Sequence, residues 1–174
     1  MVRPSHAGPP TATSAYEIAA SVPDPELPFL TLADLGILRD VEQDGETVTV
    51  TITPTYSGCP AMREITADLR HRLESAGFAA AEIRTRLAPA WTSDWVTAEG
   101  RRKLAEAGIA PPHPAPVRGS GPVPLNLTAR PRAVDCPHCG AANTREVAAF
   151  SGTACKALYR CEQCSEPFEY VKGI

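Results

Sequence analysis

Two Cys-x-x-Cys pairs, Cys136-Pro-His-Cys139 and Cys161-Glu-Gln-Cys164, lie 21 residues apart near the end of the chain. No other feature constrains the fold as strongly. In such a turn both thiols can converge on one ion, and backbone N–H groups around the turn stabilise the thiolates. Two turns give a tetrahedral four-sulfur shell, which zinc accepts without geometric strain. The residues between the pairs, with Val147, Ala149, Phe150, Leu158 and Tyr159, suit a β-hairpin that brings the turns together. A segment this short cannot fold on its own core, and metal binding supplies the missing stability. The spacing therefore predicts a zinc ribbon over residues 134–174, with Cys136, Cys139, Cys161 and Cys164 as ligands. Spacing alone leaves iron in a rubredoxin-like shell as an alternative ion. His138 reads as a solvent-facing spacer. Cys155, outside both pairs, reads as a small apolar residue of the hairpin, with a reactive thiol beside Lys156 as the alternative.

Ahead of the ribbon, prolines at 111, 112, 114, 116, 122, 124 and 131, with Gly119 and Gly121 among them, predict an extended linker over residues 110–133. Residues 1–13 read as a disordered tail rich in Pro, Ala, Ser and Thr, without the apolar core of a secretory signal. No apolar stretch is long enough to span a bilayer, so no membrane partner is expected. Cysteines without an export signal read as metal or redox residues, which points to the cytoplasm.

Residues 14–109 then form a separate domain. Ser14 and Glu17 have the spacing of a capping box, and Ala15, Ile18, Ala19 and Val22 make a helical stripe stopped by Pro23 and Pro25. Residues 37–42 and 47–54 read as strands joined by a turn at Asp44-Gly45, with Val48, Val50 and Ile52 on one face and the threonines on the other. Met62, Ile65, Leu69 and Leu73 recur at helical spacing up to Gly77. Residues 83–87 read as a third strand, and residues 97–107 as a short helix. The fold class is α+β: a small two-layer domain, in the order α-β-β-α-β-α over a mixed sheet, followed by the ribbon hairpin.

Cys59 stands apart from the other five cysteines. Pro60 favours the first position of a helix, which predicts Cys59 as its N-cap, with the helix dipole lowering the thiol pKa. On that reading Cys59 is a thiolate that binds metal or attacks; the alternative is an inert buried cysteine. Asp24 and Glu26 are candidate carboxylates assisting a metal at Cys59, or turn residues whose shape the neighbouring prolines set. Thr55, Tyr56 and Ser57 either line the thiol pocket or simply make the turn. Trp91 and Trp95 are expected to cover the sheet, and Arg101, Arg102 and Lys103 to form a solvated face.

Asp24-Pro25-Glu26-Leu27, the hairpin, and Thr53-Pro-Thr-Tyr-Ser-Gly-Cys59-Pro60 ahead of an amphipathic helix resemble the family of iron–sulfur and metal-centre assembly domains. Pro89-Ala-Trp-Thr-Ser-Asp-Trp95, Gly108-Ile-Ala-Pro-Pro112 and Ser151-Gly-Thr-Ala-Cys-Lys156, together with the ribbon, are similar to the D-subunit family of bacterial phenylacetyl-CoA epoxidases. That resemblance extends from Tyr16 onward. It implies an accessory role in aerobic phenylacetate degradation: helping to assemble or load an iron or iron–sulfur centre in the oxygenase and reductase subunits, with iron–sulfur assembly proteins as further partners. It also implies Cys59 as a transient iron or cluster ligand.

No catalytic residue is assigned to this chain. A di-iron carboxylate site uses Glu-x-x-His pairs on bundle helices, and none of His6, His71, His113 and His138 follows a Glu at that distance. A permanent structural subunit of the epoxidase, or an electron carrier using the four-cysteine site, are the alternatives. Nucleic acid is not an expected partner. The whole chain carries a formal charge of -3, and the segment from Arg130 onward, with a divalent ion and four thiolates, is slightly negative.

Overall fold

The computed structural model describes residues 14–115 and 134–173. The first helix, α1 (Ala15–Ala20), starts where the capping box places it. Glu17 N donates to Ser14 Oγ at 3.2 Å, and Ser14 N donates back to Glu17 Oε2 at 2.8 Å. After the Pro-rich bend, β1 (Leu38–Asp44) and β2 (Thr47–Ile52) pair antiparallel. Asp44 lies opposite Thr47, so the turn is Gly45-Glu46, one residue later than predicted. Helix α2 (Met62–Ser75) then crosses over to β3 (Ala80–Thr85), which runs parallel to β2. The sheet is mixed, in the order β1-β2-β3.

The predicted alternation in β2 holds: Val48, Val50 and Ile52 are fully buried and meet Ile65, Leu69 and Leu73 of α2 in one core. β3 begins three residues earlier than expected, because its start is set by Ala80 pairing with Thr47 rather than by its own weak apolar pattern.

Trp91 is buried and donates its indole N–H to Leu35 O at 2.9 Å, while the Arg39 guanidinium lies 3.6 Å above the Trp95 ring. Helix α3 (Ala98–Glu106) is capped by the Thr97 hydroxyl, which accepts from Gly100 N. Its basic run is not the uniformly solvated face expected of it. Arg102 bridges Glu99 and Glu106 at the surface, but Arg101 donates to Ser93 O at 2.7 Å and Lys103 Nζ reaches Asp34 Oδ2 at 2.7 Å.

Burial alone would raise the Asp34 carboxyl. Hydrogen bonds from Lys103 and from Thr31 outweigh it and hold the group below its ordinary value. A depressed carboxylate stabilises the fold fully above the unfolded Asp pKa and loses that effect as pH falls through its folded pKa. Asp34→Asn is therefore expected to lower unfolding free energy by about 1–3 kcal/mol at neutral pH. Urea melts should show the gap from wild type shrinking as pH falls below the ordinary Asp range.

The ribbon is a three-stranded antiparallel sheet rather than a hairpin. β4 (Thr144–Ala148), β5 (Lys156–Cys161) and β6 (Pro167–Val171) lie in that order. The third strand completes an aromatic core in which Tyr159 packs on Phe168 and edge-on to Tyr170.

β6 also joins the two domains. Ala110 N donates to Glu169 O at 2.8 Å, Val171 N donates to Ala110 O at 3.0 Å, and Val171 is buried in the core of the first domain. Residues 110–115, predicted as linker, thus run against the folded body. The pairing partner that holds them lies sixty residues on in sequence, beyond the reach of local composition. The remainder of the predicted linker and the predicted tail at 1–13 lie outside the described residues. Among the described residues, no helix is long and apolar enough to cross a membrane.

Candidate functional site

The two Cys-x-x-Cys turns meet as predicted. The four sulfurs of Cys136, Cys139, Cys161 and Cys164 all lie within 4.8 Å of one another, with Cys136 to Cys164 at 3.7 Å and Cys139 to Cys161 at 3.6 Å. A tetrahedron of sulfurs at zinc's ~2.3 Å bond length has edges of about 3.8 Å, so the shell fits that ion. The amides of Cys164 and Gln163 point at Cys161 Sγ from 3.5 and 3.4 Å and hold that thiol down to about 7. Cys164 moves the opposite way. Although the Glu166 amide favours its thiolate, burial and the three neighbouring thiols push it up to about 12. Four sulfurs this close cannot all ionise without a cation between them, which is the electrostatic signature of a metal shell. His138 is exposed and is not among the converging ligands.

Cys59 is placed differently from its prediction. Helix α2 begins at Met62 with Ala61 as its cap, so Cys59 stands two residues before the N-cap. Its amide donates to Tyr56 O at 3.2 Å, closing the turn made by Tyr56, Ser57 and Gly58. The expected lowering of its pKa is overturned. Burial pushes the half-buried thiol up; the Ala61 amide opposes this, but Glu26, Cys155 and Asp24 reinforce it. A helix dipole acts within the first turn, and this sulfur sits outside it among groups that repel a thiolate.

Those groups define a cavity of about 40 Å³ between the domains. From the first domain come Asp24, Glu26, Thr55 and Cys59, with Trp91 behind them. From the ribbon come Cys155 and Lys156. Asp24 is buried, and its Oδ1 accepts from the amides of Glu26 at 3.0 Å and Leu27 at 2.9 Å, which shapes the Pro-rich bend. Burial raises the Asp24 carboxyl, with the two amides and Lys156 pulling against it. Glu26 is exposed and also lines the cavity.

Cys59, Asp24 and Glu26 thus line one cavity, and Cys155, for which the sequence offers either hairpin filling or a reactive thiol beside Lys156, lines it too. Its one legible signal is negative: it is the ribbon cysteine that fits neither Cys-x-x-Cys pair. Burial raises its thiol, opposed by the Thr153 hydroxyl.

Comparison with known proteins covers both domains. Residues 120–172 match the family model described as the PaaD zinc beta ribbon domain, and residues 18–83 match that of the iron–sulfur cluster assembly protein. Over 174 residues, the full length of both chains, the sequence is 40% identical to the protein named as the D component of 1,2-phenylacetyl-CoA epoxidase in Escherichia coli K12. It is 35% identical over 97 residues, 54% of this chain and 90% of the other, to an Fe-S protein maturation auxiliary factor of Porphyromonas gingivalis. Among solved structures it is similar to a domain of unknown function from Bacillus anthracis, at 26% identity and a TM-score of 0.48, covering 52% of this chain and 87% of that one.

Proposed function

The chain belongs to the family of 1,2-phenylacetyl-CoA epoxidase D subunits, and on that premise we propose that it is an accessory component supplying iron or an iron–sulfur centre to its partners. Its partners are the oxygenase and reductase subunits of the epoxidase, in the cytoplasm, and it carries no oxygenation chemistry of its own. The observation that carries this reading is Cys59, in an assembly-type domain, half-buried in a cavity that buried Asp24 and exposed Glu26 also line. A cavity of about 40 Å³ is far below the roughly 300–1,000 Å³ that drug-sized ligands occupy. It suits an ion as cargo and not an acyl-CoA thioester. The four-cysteine site holds zinc as a structural ion, and the ribbon it organises is the module that docks partner subunits.

The test is to produce the epoxidase subunits together with Cys59→Ala. Iron content of the partners and epoxidation of phenylacetyl-CoA should both fall by at least about tenfold, while zinc in the variant stays at the wild-type level. Full iron or cluster occupancy in the partners, with normal epoxidation, would remove this reading.

A further inference from the structure

The ribbon touches the first domain at both ends of its sheet. At the metal end, the Cys136–Cys139 turn carries His138, and a Cβ on Gly108 would stand 2.9 Å from His138 Cε1. Gly108 follows α3 with φ of +74°, so the turn sits against a position with no side chain to keep it away. Two residues on, Ala110 pairs in parallel with Tyr170 of β6. At the far end, Val171 enters the core of the first domain. There Cys155, Lys156, Val171 and Lys172 line the cavity that also holds Cys59.

Metal shell and cavity thus lie at opposite ends of one sheet. Strand β5 starts at Lys156, on the cavity, and finishes at Cys161, in the four-sulfur shell. Five steps of about 3.4 Å put about 17 Å between these residues.

The cavity end is tied into the sheet. Lys172 N donates to Cys155 O at 2.9 Å, Ser151 N donates to Lys156 O at 3.1 Å, and Lys156 Nζ meets Glu169 Oε2 at 2.7 Å. Each of these links needs β5 and β6 to stay paired. Their pairing in turn needs the metal, because the core beside it is built on three rings, Tyr159, Phe168 and Tyr170. The wall that the ribbon gives the cavity is therefore only as stable as the distant four-sulfur shell.

We propose that zinc in the ribbon governs the exposure of Cys59: with the shell filled, the far end of the sheet covers the thiol, and with the shell empty that end falls away and opens it to solvent. This names how the cargo site is regulated, and for its use it rests on the metal-supply reading above. The coupling is mechanical, running from the ion through β5 and β6 to the wall. Two effects add at Cys59 when the wall leaves. A reagent gains access, and Cys155, one of the groups that hold the thiol protonated, departs with the ribbon.

The test follows alkylation of Cys59 in the full chain by peptide mass spectrometry, under reducing conditions, with zinc bound and after its removal by a chelator. Cys59 should react at least about tenfold faster without zinc, while hydrogen exchange shows β2 and α2 still protected. Returning zinc should restore the slow rate. A second arm leaves the four ligands alone. Val171→Asp places a charge in an apolar core and so detaches the end of β6. That variant should keep its zinc and still show fast alkylation of Cys59.

An unchanged rate in the zinc-free chain would overturn the proposal, as would slow alkylation in Val171→Asp. Loss of protection in β2 and α2 on zinc removal would also overturn it, because the metal would then hold up the whole chain and not a cover. Undiminished iron in the partners of Cys59→Ala is a separate failure: it would remove the metal-supply reading and leave the zinc-dependent exposure of Cys59 standing.

Discussion

Cys161→Ser, or treatment of the wild type with a strong chelator, is expected to unfold residues 134–173 outright. Cys161 is fully buried, and two amides converge on its sulfur. Losing it leaves three ligands and a site that cannot close around the ion. Structural zinc sites in small peptides are worth about 10–16 kcal/mol, as much as the whole stability of an ordinary domain at about 5–15 kcal/mol. The ribbon's aromatic core of Tyr159, Phe168 and Tyr170 is too small to replace that. The damage should also spread. Val171 fills part of the first domain's core and β6 holds Ala110 in place, so the first domain loses contacts although it holds none of the four ligands. Hydrogen exchange read by mass spectrometry should show protection lost throughout β4–β6 and weakened around α3. Added zinc should restore the chelated protein and not the variant. A ribbon that stays protected without its metal would contradict the assignment of the site as structural.

Gly36→Ala should be nearly as harmful as any single core truncation, although it adds only a methyl group. Gly36 has φ of +66°, a conformation that costs an L side chain about 1–2 kcal/mol. A Cβ there would also stand 2.5 Å from both the Cβ and the carbonyl oxygen of Trp95. Backbone cannot yield as a flexible side chain does. The 3-10 turn at Ser93–Trp95 must therefore move, and with it the Arg39–Trp95 stacking and the Trp91 bond to Leu35. A loss of about 3 kcal/mol or more is expected from urea unfolding. A loss below about 1 kcal/mol would mean that the contact between these two segments is looser than the structure places it.

What can be read from the sequence divides by the range of the interactions involved. The Ser14–Glu17 box, the alternation of Val48, Val50 and Ile52, and the stripe Ile65, Leu69, Leu73 are local patterns, and each forms the element it encodes. The four metal ligands are equally plain, because Cys-x-x-Cys fixes its own geometry within one turn. Strand β6 escapes a local reading although Phe168 and Tyr170 alternate, since five residues make a weak signal until β5 lies beside them. Lys103 reads as one cation in a solvated run; its partner Asp34 lies on a distant loop. Pro60 is a fair sign of a helix start, but α2 begins two residues later than it suggests, and that shift moves Cys59 outside the helix's first turn. The gathering of Cys59 and Cys155 depends on how two domains dock, which no local pattern in either one encodes.

The pairing of Ala110 with β6 also bears on the order of events during synthesis. The assembly-like domain leaves the ribosome first, yet one wall of its cavity belongs to the ribbon made after it. Until that ribbon emerges and takes up its own ion, Cys59 faces an unfinished pocket. The cavity beside Cys59 is therefore complete only once the ribbon has folded, so the site of the domain made first is the part finished last.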